Sequence, residues 1–153
     1  MADSDATALE RMCPAFGAEG SDVVRRSEDE RFFQDESLEQ AIAVVVVNDA
    51  PQEVLLVALP EGVAVAPLGI RWFGPSFPAP QLRRPVGLIP WPEADAESVP
   101  AIARLRALVK KAAVRRRRMY KSCLECGQPT PPEHFHDGRI CMGCASEHHG
   151  VVY

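Results

Sequence analysis

Two short cysteine motifs near the C-terminus constrain this chain more than any other feature. Cys123 and Cys126 form one C-x2-C pair, and Cys141 and Cys144 form a second pair after fourteen intervening residues. Two such pairs supply the four ligands that a tetrahedral zinc site needs. We therefore predict one structural Zn²⁺ ion bound by Cys123, Cys126, Cys141 and Cys144.

Four thiolates fill the zinc coordination sphere and leave no open position for water or substrate, which is typical of a structural site. We recognise no glycine-rich phosphate loop, no G-x-S-x-G and no H-E-x-x-H motif, and no histidine precedes His134. We therefore expect that the protein is not an enzyme and takes no small-molecule substrate. The sequence leaves two roles open, that of the lone Cys13 and that of the histidines beside the cysteines: His134, His136, His148 and His149.

Two arrangements of the cysteine module, residues 122–153, fit its sequence. Gly127 directly follows the first pair, where a zinc knuckle requires a residue that readily adopts a positive φ. The residues after Cys144 favour one or two helical turns that end at Gly150. A knuckle followed by a helix is a treble clef, whereas a closing strand over residues 150–153 would make a zinc ribbon. The sequence does not separate these two alternatives.

The pattern Cys123-x2-Cys126-Gly127-x-Pro129-x-Pro131, followed by Cys141-x2-Cys144, resembles the zinc finger of the DksA/TraR family, which binds RNA polymerase. The resemblance covers residues 123–144 and implies the four metal ligands. Residues 130–152 are also similar to bacterial proteins, but that likeness implies no activity.

The formal net charge of −4 hides a strongly uneven distribution. Residues 101–122 carry nine basic residues and no acid, whereas residues 1–40 carry eleven acids and four bases. Ser98 as an N-cap, Pro100 in the first turn and apolar residues at helical spacing predict a basic amphipathic helix over 98–121. We expect its cations to neutralise nucleic-acid phosphates, so that this zinc-binding protein contacts nucleic acid or a transcription-type assembly through the basic helix. The candidate residues are Lys110, Lys111, Arg115, Arg116, Arg117, Arg118 and Lys121.

Other readings of the basic helix remain open. Its cations could meet an acidic protein surface or the chain's own acidic N-terminal residues, or they could simply be solvated. Contact with a membrane is not expected, because the apolar stripe carries small alanines and no tryptophan. The alternative function is a protein–protein interaction adaptor whose zinc is purely structural. Its working surfaces would be the acidic N-terminus and the segment rich in proline and aromatic residues, 67–92. The aromatic residues of that segment could instead staple a loop over the sheet.

The remaining sequence predicts an α+β fold. A continuous β-branched run over 41–47 is typical of a strand buried on both faces, and 54–59 predicts its hairpin partner beyond a turn at 48–52. Shorter strands are predicted at 63–66, 70–73 and 86–89, giving a small, mostly antiparallel sheet. We divide the chain into an acidic flexible tail (1–27), a β-rich domain with proline-rich loops and a helix near 28–40 (28–97), the basic helix (98–121) and the zinc module (122–153).

The N-terminus and the cysteines indicate a compartment. The chain begins with acidic residues where a signal peptide would be basic, and its longest apolar run is seven residues. A membrane-spanning helix needs about 20 apolar residues. Free thiolates persist in reducing surroundings. We therefore expect a cytoplasmic protein.

Overall fold

Five antiparallel strands form the central sheet of the protein. The computed structural model describes residues 2–47 and 53–153. Its strands are β1 (Val23–Arg25), β2 (Ala43–Val47), β3 (Val54–Leu59), β4 (Gly62–Pro67), β5 (Ile70–Trp72), β6 (Pro78–Pro80), β7 (Gly87–Pro90), β8 (Lys121–Ser122) and β9 (Pro129–Thr130). The central sheet has the order β1-β2-β3-β4-β7, and β5-β6 and β8-β9 form two separate hairpins. The predicted α+β class with an antiparallel sheet is confirmed.

The predicted hairpin of long strands lies at the centre of this sheet. β2 and β3 pair from Ala43↔Ala58 to Val47↔Val54, and the turn predicted at 48–52 lies outside the described residues. The tight connection to β4 places Gly62 opposite Leu59. A Cβ atom on Gly62 would lie 2.2 Å from the carbonyl oxygen of Ile89. Glycine therefore permits the close approach of β7 to this turn.

The β2–β4 strands are apolar on both faces because both faces are covered. Residues of β3 alternate between the two sides of the sheet. Leu56 packs with α-helical residues in the larger core cluster. Leu55 and Val57 lie in a second cluster with Phe33 and Leu38. This two-sided burial confirms the interpretation of the continuous apolar runs.

Within residues 2–47 and 53–153, three α-helices and several 3₁₀ turns complete the fold. The helices are α1 (Ala2–Met12), α2 (Val99–Arg118) and α3 (Met142–His149). The helix predicted near 28–40 is replaced by two 3₁₀ turns, Glu30–Phe33 and Glu36–Leu38, which begin at the side-chain caps of Asp29 and Asp35. Such caps let short polar residues start a turn locally. In the described part of the chain, none of the helices has the length and apolar character needed to cross a bilayer.

The N-terminal segment differs from the flexible tail expected over 1–27. In α1, Leu9 and Met12 are completely buried, and Phe16 in the following 3₁₀ turn is 5% exposed. They belong to the same core cluster as β2, β3 and α2. Arg25 of β1 also binds the acids Asp3 and Glu10 of α1. The acidic composition is the exposed side of an amphipathic helix, so the expectation of a flexible tail is corrected. The division of the chain into four parts otherwise stays a prediction.

The predicted basic helix is present as α2. The Ser98 hydroxyl accepts a hydrogen bond from the Ala101 N–H at 3.3 Å, and Pro100 occupies the first turn. Leu105, Val109 and Ala112 are buried on the sheet. The opposite face of α2 is exposed over its length. The helix thus forms a layer over the sheet. Met119 and Tyr120 separate its end from β8, which leads into the cysteine module.

Candidate functional site

The first cysteine pair lies in a tight knuckle between β8 and β9. Lys121 pairs with Thr130 in this hairpin, and the Cys123 N–H donates to the Gln128 carbonyl at 3.0 Å. Gly127 turns the chain with a φ of 71° and donates its N–H to the Cys123 carbonyl at 2.9 Å. This positive φ is the conformation predicted for a glycine at that position.

The second cysteine pair begins α3. A β-bridge between Phe135 and Cys141 closes a turn in which the Asp137 carboxylate accepts two backbone hydrogen bonds. Cys141 is the N-cap of α3, and Gly150 ends the helix in a left-handed conformation. A knuckle, a hairpin and a helix that starts at the second pair make the treble-clef arrangement. The zinc-ribbon alternative would require a strand over residues 150–153, but the described residues 151–153 form none.

The four thiols form one compact site. The Sγ–Sγ distances are 3.9 Å from Cys123 to Cys144 and 3.9 Å from Cys126 to Cys141. All four Sγ atoms lie within 4.8 Å of one another. Zinc–sulfur bonds of about 2.3 Å in a tetrahedron require sulfur–sulfur distances of roughly 3.8 Å. The geometry therefore fits a single structural zinc ion, as predicted from the spacing.

The peptide backbone supports thiolates at this site. The Cys141 N–H donates to the Cys123 sulfur at 3.3 Å, and the Cys144 N–H donates to the Cys141 sulfur at 3.4 Å. Hydrogen bonds from the N–H groups of Cys126 and Cys141 lower the pKa of Cys123 to about 6. Burial raises the pKa of Cys144. A bound zinc ion deprotonates its thiol ligands outright, so zinc would supply the charge that keeps Cys144 a thiolate.

The four-thiol site needs no ligand from the neighbouring histidines. His149 contacts the Glu125 carboxylate, and His136 binds the Tyr153 hydroxyl at 3.0 Å. His148 lies with Glu125 and Cys144 in a second group of possible ligand atoms. That group shares Cys144 with the four-thiol site, and only one of its three possible ligands is a cysteine sulfur. The four-thiol set is the better match to zinc in a structural site.

A buried ion-pair network joins the zinc module to the sheet and to α2. Arg116 is 2% exposed. Its guanidinium binds Glu133 of the module and, at 2.9 Å, Glu53 beside β3. The Tyr120 hydroxyl also donates to Glu53, and burial together with that carboxylate raises the pKa of Tyr120 to about 12. These contacts fix the C-terminal end of α2 relative to both neighbours.

This network removes Arg116 from the predicted nucleic-acid surface. Arg116 is one of four consecutive arginines in the sequence. In the structure its side chain lies between the sheet and the zinc module, where it pairs with Glu53 and Glu133. A buried guanidinium held by two carboxylates is not available to a phosphate. The sequence signal that would have found this is the helical period, because Arg116 follows Ala112 by four residues and Val109 by seven on the buried face.

Of the other six predicted cations, one is used by the fold and five are not. Arg115 is half-buried, and its guanidinium donates to the Arg84 carbonyl at 3.1 Å. The other five are exposed, four of them on α2 and Lys121 just beyond the helix in β8. We use the term basic face for the five exposed cations that make no hydrogen bond or ion pair within residues 2–47 and 53–153: Lys110, Lys111, Arg117, Arg118 and Lys121.

Two competing interpretations of these regions can be compared with the structure. The acids of the first forty residues that form ion pairs in the described chain do so with Arg25, Arg31 and Arg71, and not with α2. The indole of Trp91 donates to the Leu59 carbonyl at 2.9 Å, and that of Trp72 donates to the Glu133 carbonyl at 3.0 Å. Both indoles therefore connect parts of this chain, as expected if the aromatic residues staple the loop.

Comparison with known proteins gives no relative for the chain: no family model, no curated protein and no solved structure matches it. The likeness of residues 123–144 to the DksA/TraR finger thus remains a resemblance of motif. The clustering of the four cysteines rests on the geometry of this chain alone.

Proposed function

We propose that this protein is a zinc-stabilised nucleic-acid-binding protein whose basic face contacts phosphates. The observation that carries the proposal is the free state of five cations in the C-terminal half of α2 and at the start of β8, none of which is used within the described chain. Cations that serve the fold are paired here, as Arg116 and Arg25 are. Five unpaired cations within twelve residues match the electrostatic footprint of a phosphate-binding element.

The zinc site has a supporting role in this proposal. Four thiolates close the coordination sphere, so the ion stabilises the module and performs no chemistry. The module holds Glu133 against Arg116, and Arg116 holds the last turn of α2. The metal thus fixes the helix end that carries Arg117 and Arg118. Preorganised cations lose less side-chain and backbone freedom on binding than mobile ones.

A salt titration tests the proposal. Binding to duplex DNA, single-stranded DNA and structured RNA is measured by fluorescence anisotropy over a range of salt concentrations. We expect log affinity to fall linearly with log salt, with a slope of several units, and the preferred ligand identifies the nucleic acid. The double variant Arg117→Gln/Arg118→Gln should weaken binding and reduce the slope by about 2.

The matched control removes two exposed cations that lie away from α2. Arg31 pairs with Asp29 and Arg139 pairs with Asp137, both on the surface. Arg31→Gln/Arg139→Gln changes the net charge by the same amount and should leave affinity nearly unchanged. Equal losses in the two variants, or no binding at low salt, would contradict the proposal. The latter result would favour the alternative of a protein–protein interaction adaptor.

A further inference from the structure

A cleft lies at the junction of the sheet, α2 and the zinc module. Its volume is about 280 Å³. One wall is formed by the segment between β4 and β5, and a second by the segment after β6. The third wall comes from the last turns of α2 and from Pro132 and Glu133 of the module. Pockets of this kind, where separate parts of a fold meet, are frequent ligand sites.

Four arginines line this cleft: Arg83, Arg84, Arg115 and Arg116. Arg116 is neutralised by its carboxylate partners, so the positive charge of the cleft comes from the other three. Within the described residues, no carboxylate pairs with any of the three. The acid that lines the cleft, Glu133, is already bound by the Arg116 guanidinium through two hydrogen bonds. The cleft therefore has three cationic groups whose charge is not neutralised within it.

The backbone around these arginines is fixed. Arg84 has a φ of 47°, a left-handed conformation that is unusual for a residue with a side chain. Its carbonyl accepts the hydrogen bond from Arg115, which connects the loop to α2. Gly69 lies so close to Gln81 that a Cβ atom would be 2.4 Å from the Gln81 carbonyl oxygen. The Gln81 N–H in turn donates to the Gly69 carbonyl at 2.8 Å.

The rest of the lining is mostly apolar. Pro67, Leu68 and Ile70 come from the β4–β5 segment, and Met119 comes from the end of α2. An apolar wall beside a few convergent charges is the usual composition of a site for an organic anion. A flexible methionine adapts to the shape of a planar or irregular group.

We propose that this cleft binds a nucleoside monophosphate unit, with the phosphate on the three arginines and the base against the apolar wall. Guanidinium groups match phosphate oxygens in bidentate geometry. A phosphomonoester carries a charge of roughly −1.5 to −2 at pH 7. It therefore neutralises the three cations better than a carboxylate with a single charge. The unit is either a free mononucleotide or the phosphorylated end of a nucleic-acid strand.

This site shares no residue with the basic face. Arg83 and Arg84 belong to the loop after β6, and none of the five basic-face cations lines the cleft. A free mononucleotide can occupy the cleft whether or not the basic face binds a polymer. The sequence does not reveal the cleft, because Arg83 and Arg84 lie in a different segment from Arg115 and only the fold brings them together.

Calorimetry with adenosine monophosphate, adenosine and inorganic phosphate tests the proposal on the full zinc-loaded chain. We expect adenosine monophosphate to bind with one-to-one stoichiometry and more tightly than either fragment. Arg83→Gln/Arg84→Gln should weaken its binding by at least about tenfold, because two charged hydrogen-bond donors are lost. Arg31→Gln/Arg139→Gln should bind it as the natural chain does. Backbone amide shifts at Gly69 and Gln81 should report its position.

Further comparisons identify the source of the phosphate and the outcomes that overturn the proposal. Stronger binding of a 5′-phosphorylated tetranucleotide than of adenosine monophosphate, lost in the Arg83→Gln/Arg84→Gln variant, assigns the cleft to strand ends. Equal binding assigns it to free nucleotides. Absence of adenosine monophosphate binding, or equal binding by the natural chain and that variant, would overturn the proposal. The variant Arg117→Gln/Arg118→Gln should retain adenosine monophosphate binding. The two proposals can therefore fail separately, one by loss of binding to nucleic-acid polymers and the other by loss of binding to adenosine monophosphate.

Discussion

The sheet and the zinc module hold their structures by different means. Every residue from Val54 to Ala58 is completely buried, and the strands on either side are nearly as well covered. Among the described residues 122–153, the buried ones are Cys123, Thr130, Cys144 and Ala145. Two of these four are metal ligands. The sheet is stabilised by apolar burial, whereas the module has little of it, so we expect the folding of the module to depend on the metal.

Removing one zinc ligand should separate the two regions most clearly. Cys126→Ser leaves three thiols, and we expect zinc stoichiometry to fall from one per chain and residues 123–150 to become sensitive to proteolysis. The sheet should remain folded because its core contains no ligand. Elemental analysis and limited proteolysis measure both effects.

The matched control for that variant is Cys13→Ala, which changes the buried cysteine directly after α1. It should retain one zinc ion per chain. If Cys126→Ser kept full zinc stoichiometry, the four-thiolate site would be disproved.

Disrupting the buried ion pair should weaken the connection between the two regions. Glu133→Gln leaves the Arg116 charge with Glu53 alone in a buried setting. Loss of one partner from such a pair costs about 4 kcal/mol in the free energy of unfolding. Urea denaturation measures the change, with Glu147→Gln as the control because that carboxylate is exposed. An equal stability of the two variants would show that the network does not join the regions.

A cavity in the sheet core should destabilise the chain without affecting the metal. Leu56 is completely buried on β3. Leu56→Ala should lower the free energy of unfolding by about 3 kcal/mol through lost burial and the remaining cavity. Zinc stoichiometry in the folded protein should stay at one per chain. Leu124→Ala serves as the control, since Leu124 of the module is 74% exposed and should tolerate truncation. A loss of zinc in Leu56→Ala would contradict the separation of the two regions.

The cap of the helix that connects the regions should give the smallest effect. Ser98→Ala removes the acceptor for the Ala101 N–H. We expect the free energy of unfolding to fall by about 1 kcal/mol, the usual contribution of such a cap. Thermal denaturation followed by circular dichroism measures it against Ser4→Ala, at an exposed position in α1. If Ser4→Ala lowered the free energy of unfolding more than Ser98→Ala, the Ser98 cap would not be a significant source of stability for α2.

The parts of the structure that the sequence predicted depend on local patterns. The β2–β3 hairpin followed from two apolar runs, α2 from its N-cap and period, and the metal ligands from their spacing. In each case the decisive residues are close together in the chain. The physical chemistry that fixes them acts over a few residues and is visible in the sequence.

The features that the sequence did not predict depend on contacts between distant segments. α1 has an acidic exposed side that concealed its buried stripe, so composition indicated a tail instead of a helix. The helical period places Arg116 on the buried face of α2, but its partners Glu53 and Glu133 lie 63 and 17 residues away in the chain and are identified only by the fold. The cleft arginines were missed for the same reason. A charged residue is placed by its partners, and these are known only from the fold.

The most direct test of the account is a zinc titration of the metal-free protein followed by ¹H–¹⁵N NMR. We predict that the amide signals of residues 123–150 become dispersed as zinc is added and stop changing at one zinc ion per chain. The signals of β2, β3 and β4 should already be dispersed before the first addition. If residues 123–150 were dispersed without metal, or if the sheet required zinc to fold, the account of a core-stabilised sheet joined to a metal-stabilised module would be contradicted.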